Sequence, residues 1–269
     1  MEIKFSYIEE PLPTRKNSQF PKVTIITATY NAGNYLEECI SSVLNQSYDN
    51  IEYIVIDGGS TDSTINIIET YQHRLAYWIS EPDAGIYDAW NKGISKATGN
   101  WLVFIGADDQ LLPDAVRLYI EHIINHPNCE NLQFVSSQIQ LIDERSNYLE
   151  TVGQPWRWEL FRKSMVTWHV GTFHSCSLFR MYGVYDDTFK ISGDYEFLLR
   201  AGSRLIASYM PSVTAKMRVG GISGSNLLKA SQETYRAKIK NNVLSPITGR
   251  VLMVIDSVRL LFTKVTTPK

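Results

Sequence analysis

Cysteine is scarce. Cys39, Cys129 and Cys176 are the three in 269 residues, far apart and without the paired spacing of a metal site. That excludes a disulfide framework and a cysteine-built zinc centre, and it fits a reducing, cytoplasmic setting. Long apolar runs are also missing. No stretch approaches the roughly 18 apolar residues that a membrane-spanning helix needs. Met1 to Phe20 mixes charges, prolines and polar residues around no apolar centre, so no signal peptide is expected there. Neither sign of charge is in excess: a net charge of −2 gives no overall pull toward nucleic acid, and no nucleic-acid partner is expected. No GxGxxG and no P-loop lysine follow the first apolar run, which argues against a dinucleotide enzyme or a P-loop NTPase. Internal repeats and low-complexity tracts are absent.

What remains is an ordinary globular composition, 44% hydrophobic and 20% charged, long enough to bury a real core. One domain with an appendage is expected. From Pro21 the chain alternates. Val23 to Ala28 reads as a buried strand, followed by a helix with Leu36, Ile40, Val43 and Leu44 on one face, for which Asn34 and Glu37 resemble an N-terminal cap. A strand at Ile51 to Ile56, a helix carrying Ile65, Ile68 and Tyr71, a strand at Leu75 to Ser80, a helix over Ile86 to Lys96 and a strand at Trp101 to Ile105 continue the pattern. Buried-type strands alternating with helices indicate right-handed crossovers and an α/β fold with a Rossmann-type, mainly parallel sheet flanked by helices.

The central strand ends in Gly106-Ala107-Asp108-Asp109. Two adjacent carboxylates at a strand end repel each other and are partly desolvated. A divalent cation would resolve this, because Mg²⁺ and Mn²⁺ take one or two protein carboxylates and fill the rest of their shell with water and substrate phosphates. The plainer alternative is a turn that caps the helix opened by Pro113. In a parallel sheet the strand ends share one edge, so Thr29-Tyr30-Asn31, Asp57 to Asp62, Glu81 to Asp83 and Asp108-Asp109 should converge on one crevice. Asp57 could accept hydrogen bonds from a base or ribose while Gly58 and Gly59 let a ligand approach; a glycine turn with a helix cap is the alternative. Asp83 before the following helix and Asp88 on it could hold hydroxyls and Lys92 a phosphate, unless Asp88 and Lys92 form only a solvated i,i+4 pair, worth about 0.3–0.5 kcal/mol.

Together Thr29-Tyr30-Asn31, Asp57-Gly58-Gly59-Ser60-Thr61-Asp62, Ser80-Glu81-Pro82-Asp83 through Asn91-Lys92-Gly93, and Gly106-Ala107-Asp108-Asp109 resemble the family 2 glycosyltransferases of bacterial surface-polysaccharide assembly. The resemblance is strong from about Pro21 to Asp114 and weaker to about Gly224. It implies a GT-A-like fold, a UDP-, GDP- or dTDP-sugar donor, Mg²⁺ or Mn²⁺ on Asp109 and Asp108, and inversion at the anomeric carbon. It also implies that Thr29, Tyr30, Asn31, Asp57 and Asp108 contact the nucleotide, that His169 lies near the donor phosphates, and that Asp194 in Gly193-Asp194-Tyr195 is the catalytic base. Without the resemblance, His169 reads as structural and Asp194 as an acid at a helix N-terminus.

These expectations divide the chain into an N-terminal extension (1–20), a glycosyltransferase domain (21–225, donor half 21–115, acceptor half 116–225) and a basic helical tail (226–269). Trp156, Trp158, Phe161 and Trp168 belong either to an acceptor groove or to a packed core. Gln154-Pro155-Trp156-Arg157-Trp158 matches a signature of processive synthases, but it precedes Asp194 and no transmembrane helix accompanies it, so a single-addition transferase is read. Gly220 to Ser225 reads as a loop that could close over the donor. The tail from Lys229 has eight Lys/Arg against two acids, and Val251 to Phe262 is strongly apolar. That suits an anionic membrane surface bearing a lipid-linked acceptor, or equally a helix packed on the domain or on a second copy. The acceptor is a glycan or lipid-linked hydroxyl. Rival functions are a nucleotidyltransferase and a sugar-nucleotide-binding protein without turnover.

Overall fold

The computed structural model describes residues 20–221 and 226–266. Its strands are β1 (Val23–Thr29), β2 (Ile51–Asp57), β3 (Tyr77–Ser80), β4 (Trp101–Gly106), β5 (Gln110–Leu111), β6 (Phe134–Ile142), β7 (Tyr148–Val152), β8 (Thr172–Ser175) and β9 (Ala207–Arg218). The helices are α1 (Leu36–Leu44), α2 (Thr64–Tyr71), α3 (Ile86–Lys96), α4 (Ala115–Ile124), α5 (Trp158–Phe161), α6 (Cys176–Tyr182), α7 (Gly193–Ala201), α8 (Leu227–Lys240) and α9 (Pro246–Thr266). Among the described residues the strands form one sheet in the order β3-β2-β1-β4-β8-β6-β9-β5, with β7 paired to β6.

The first four strands in this order are parallel and in step. Thr29 lies opposite Asp57, Asp57 opposite Ser80 and Ala28 opposite Gly106, so the ends of β1 to β4 share one edge of the sheet. Beyond β4 the sheet is mixed: β8 runs antiparallel to β4 and β6, β6 parallel to β9, and β9 antiparallel to β5. The expectation of a mainly parallel sheet therefore describes the donor half. Antiparallel pairing enters with β8, β5 and β7, the last on β6; β8 and β5 have four and two residues, too few for a periodic signal.

The strands read as unbroken apolar runs because both faces are covered, with successive side chains entering opposite cores. From β4, Leu102 and Phe104 join the core beneath α3, α6 and α7, where Phe104 lies 5.0 Å from Trp90 between ring centroids. Val103 and Ile105 join the other core with Leu36 and Ile40 of α1 and Val116 and Tyr119 of α4. α3 can approach β1 only because residue 93 is glycine: a Cβ there would fall 2.4 Å from Ile26 Cγ2.

Some local expectations change. α1 begins without a side-chain cap. Instead of Asn34, the Ala32 carbonyl accepts the N–H groups of Tyr35 and Leu36. The tryptophan-rich segment is core material, with Trp156 only 4.0 Å from Phe161 between centroids and Trp158 packed on the same cluster. α8 packs on α7, and α9 packs on α8, where the Tyr235 hydroxyl donates to Asp256. No helix among the described residues is long and apolar enough to cross a membrane. The N-terminal extension up to residue 19 and residues 222–225 of the expected closing loop lie outside the described residues.

Candidate active site

The loops that follow β1 and β2 are laced into one wall. The Asn31 N–H donates to Ser60 Oγ (2.7 Å), the Thr61 N–H to Asn31 Oδ1 (2.9 Å) and the Gly33 N–H to Asp62 Oδ2 (3.0 Å). Asn31 adopts φ +48, a left-handed conformation that asparagine tolerates better than most residues. Tyr30 is 64% exposed at this wall, and the Thr29 hydroxyl is buried with no hydrogen-bond partner among the described residues. Asp57 is fully buried and accepts from the Gly59 N–H, the Ser60 N–H, the Ser60 hydroxyl and the Ser80 hydroxyl. Three of these donors fall on Oδ2 and one on Oδ1, so Asp57 organises the loop while Oδ1 keeps an acceptor position.

Asp83 lies over Gly58, where a Cβ would sit 2.5 Å from Asp83 Oδ2, and its other oxygen accepts the Gly85 N–H (2.8 Å). Burial holds its pKa above the ordinary carboxylate value, against the Gly85 hydrogen bond and the charge of Lys92. Asp88 Oδ2 accepts the Ala84 N–H, and Lys92 Nζ is met by Glu81 (2.9 Å), the Pro82 carbonyl (2.9 Å) and Asp88 (3.8 Å). With two carboxylates and a carbonyl around it, Lys92 braces the 81–85 turn.

At the end of β4 the two aspartates diverge in environment. Asp109 is buried, and its Oδ2 accepts the Gly106 N–H (2.9 Å) and lies 3.1 Å from His169 Nε2. Asp108 is partly exposed; burial and then the Asp109 charge raise its pKa, opposed by His169 and Arg218. β5 starts at the next residue and pairs with β9, which ties the aspartate turn to the acceptor half. Among the described residues no group of three or more His, Cys, Asp or Glu forms a protein-only metal cage. The donor set still fits a hard divalent cation: two adjacent carboxylates, one of them destabilised as an anion by the other, match a site completed by substrate phosphates.

His169 opens a short 3-10 turn (His169–Gly171) before β8, with its ring 5.4 Å from that of Trp90. Burial lowers its pKa, but the Asp109 hydrogen bond and the charges of Asp109, Asp194 and Asp108 outweigh it, so the net shift is upward. Asp194, in the first turn of α7, accepts the Tyr195 N–H (2.8 Å) and shares the Tyr87 hydroxyl (3.1 Å) with the Ile191 carbonyl (2.7 Å). Burial raises its pKa, and attraction to His169 is the largest opposing influence. His169 is thus hydrogen-bonded to the aspartate turn at the end of β4 and feels the charge of Asp194 on α7. Two residues escaped sequence reasoning. Tyr87 shares the buried stripe of α3 with Trp90 and Ile94, a spacing that could have revealed it. Arg218 is buried beneath the Tyr35 ring (4.6 Å) and donates to the Asp143 and Glu144 carbonyls (2.7 and 2.9 Å); its proximity to Asp108 arises only through the β5–β9 pairing.

A family model described as Glycosyl transferase family 2 matches residues 24–189. A PGL/p-HBAD biosynthesis glycosyltransferase of Mycobacterium bovis (strain BCG / Pasteur 1173P2) is 29% identical over 219 residues, covering 76% of this chain and 80% of the relative. A glycosyltransferase of Mycobacterium tuberculosis (strain CDC 1551 / Oshkosh) is 36% identical over 184 residues, covering 67% of this chain and 69% of its own. Among solved structures, S. aureus TarS 1-349 in complex with UDP-GlcNAc aligns with a TM-score of 0.65 at 16% identity, over 86% of this chain and 70% of that one. Mannosyltransferase PcManGT from Pyrobaculum calidifontis, in complex with GDP-Man and Mn²⁺, gives 0.64 at 18% identity, over 89% and 69%. The chain spans 40% of a longer TarS chain. The structural likenesses carry the fold, which is that of the GT-A glycosyltransferases. With the family model matching more than half of its length, this chain belongs to glycosyl transferase family 2 and is a glycosyltransferase enzyme.

Proposed function

We infer that the protein transfers one sugar from a nucleotide-sugar donor to an acceptor hydroxyl, with inversion at the anomeric carbon and with a divalent cation, in cell-surface polysaccharide or glycolipid assembly. The observation that carries this reading is the gathering of charged groups at the crevice: Asp108 and Asp109 at the end of β4, and His169 3.1 Å from Asp109 and within electrostatic reach of Asp194. The nucleotide-sugar complexes of TarS and PcManGT support the donor class. Asp108 and Asp109 are the carboxylates that would hold Mg²⁺ or Mn²⁺, whose charge offsets the charge developing on the departing diphosphate.

The remaining chemistry belongs to the chain. The laced loops after β1 and β2 receive the nucleotide, with Tyr30 and Asn31 at the rim. Inversion requires the acceptor oxygen to approach opposite the leaving diphosphate. The new bond from acceptor oxygen to anomeric carbon forms as the carbon–oxygen bond to the diphosphate breaks, and the diphosphate leaves with the electron pair. Asp194 takes the acceptor proton. Its pKa, raised by burial against the attraction of His169, makes it a better proton acceptor than an exposed carboxylate.

α9 presents Val251, Val254, Ile255 and Val258, each 42% exposed or more. An apolar face with Arg250 and Arg259 beside it suits an anionic lipid surface carrying a lipid-linked acceptor. Three basic residues of α8 are engaged by the protein itself. Lys240 pairs with Asp186 and Glu196, Arg236 lies over the Phe189 ring, and Lys238 donates to the Lys163 carbonyl.

The test combines binding and product analysis. The protein is screened by thermal shift against UDP-, GDP- and dTDP-sugars with Mn²⁺, where a ligand at 100 times its Kd adds roughly 2.7 kcal/mol. The donor selected is then incubated with candidate acceptors. Release of nucleoside diphosphate with an inverted glycosidic product is expected. Retention of configuration would remove the single-displacement mechanism.

A further inference from the structure

The segment leading to Asp194 is gripped from outside the stretch that the family model matches. The buried carboxylate of Glu233, on α8, accepts three consecutive backbone N–H groups: Lys190, 3.0 Å from each oxygen, Ile191 (2.8 Å) and Ser192 (3.0 Å). Successive amides aimed at one point form an anion-binding nest, here filled by the protein's own carboxylate. Gly193 and then Asp194 follow directly. A Cβ at Gly193 would fall 2.7 Å from the Tyr87 ring, so the chain runs close against α3 at this point.

On the other side of Asp194, Glu196 is fully buried and held by Arg200 of its own helix and by Lys240 Nζ (3.0 Å) and Asn241 Nδ2 (3.2 Å) at the C-terminal end of α8. α8 therefore meets the chain on both sides of Asp194. Tyr87 completes the frame by donating to Ile191 O and to Asp194 itself. A buried carboxylate that joins a loop to a helix often serves only to hold a fold together. The difference here is where the bonds fall, on the three residues whose backbone sets the direction of α7 and of the side chain in its first turn.

We propose that Glu233 is the positioning residue of the catalytic base, locking the backbone of Lys190, Ile191 and Ser192 so that Asp194 meets the acceptor hydroxyl in line. The proposal rests on the reading of Asp194 as the base. Its physical content is geometric: proton transfer and in-line attack share one alignment, and a shift of about 1 Å can cost about 10²-fold in rate. It also makes α8 part of the catalytic unit rather than of an appendage beginning at residue 226.

The test compares four variants of the full chain: Glu233→Ala, Glu233→Gln, Asp194→Asn and the Asp194→Asn/Glu233→Gln double variant. Glutamine keeps the volume and one acceptor oxygen, but it turns an N–H toward the Lys190 amide. The expected result is a kcat loss of about 10²-fold for Glu233→Ala and a smaller one for Glu233→Gln, with nucleoside-diphosphate Kd and donor KM unchanged. The Gln substitution should cost nothing further once Asp194 is already Asn, because neighbours that act through one group are not additive. If Glu233→Ala does not fold, the Gln variant and the double-mutant cycle decide. Wild-type kcat in Glu233→Gln beside an inactive Asp194→Asn overturns this proposal alone, as does a Gln effect that multiplies fully with the Asp194→Asn loss. An active Asp194→Asn variant overturns the base assignment and this proposal with it.

Discussion

Asp109 meets one backbone N–H and one imidazole, while Asp108 beside it is raised by burial and by its neighbour. That asymmetry makes Asp109→Asn informative, since the amide can still accept the Gly106 N–H while the negative charge is lost. Mn²⁺-dependent affinity for nucleoside diphosphate should fall by more than the roughly 10–100-fold typical of losing an outer-shell partner; calorimetry with unchanged Mn²⁺-dependent affinity would remove the metal assignment. Asp194 makes a second prediction with a definite sign. Its pKa is raised in the folded protein, so the ionised form is the less stable one there, and the native state gains stability as pH falls through that raised value. Asp194→Asn should therefore raise Tm at neutral pH while lowering turnover by about 10²–10⁴-fold. The acid limb of kcat/KM should lie above the ordinary carboxylate range, as base function is lost when Asp194 protonates. A lower Tm in the variant, or an acid limb at the value of a free carboxylate, contradicts the burial argument.

The elements hold these side chains in place by close approach, and α3 is the clearest case. Its Ile86–Lys96 span and its buried Ala89, Trp90, Gly93 and Ile94 were legible from helical spacing, because 3.6-residue periodicity is a local property of the sequence. The reason for Gly93 was not legible, since Ile26 reaches it from β1, far away in the chain. Gly93→Ala should destabilise by roughly 1–3 kcal/mol, the usual cost of overpacking and more than the small helix-propensity gain. Urea unfolding measures it, and a stabilised variant would contradict the contact. α9 is the opposite case, a helix whose described apolar side chains meet little of the protein. Deleting Val251 to Lys269 should reduce flotation with anionic vesicles more than turnover on a soluble acceptor; unaltered flotation would mean that the face does not serve a lipid surface.

Across the whole molecule, one sheet carries two chemistries. The parallel strands β3-β2-β1-β4 bring Thr29, Asp57, Ser80 and the Asp108-Asp109 turn to one edge, and the mixed strands beyond bring His169 and the Asp194 segment against it. The first half was determined by the sequence itself. Strand–helix alternation, apolar runs ending in polar clusters and the family motifs are all local patterns, and parallel connectivity follows from the length of the crossovers. The second half was decided by tertiary structure. β5 and β8 are too short to register as periodic, the charge of Arg218 is brought toward Asp108 by strands far apart in the chain, and Glu233 meets its three amides across some forty residues of chain. Local propensity has nothing to say about such meetings. Lys92 marks the boundary: its residue type and spacing suit a phosphate ligand, while its meeting with Glu81 and the Pro82 carbonyl is set by the turn before α3, because the partners a charge finds are those the fold brings near.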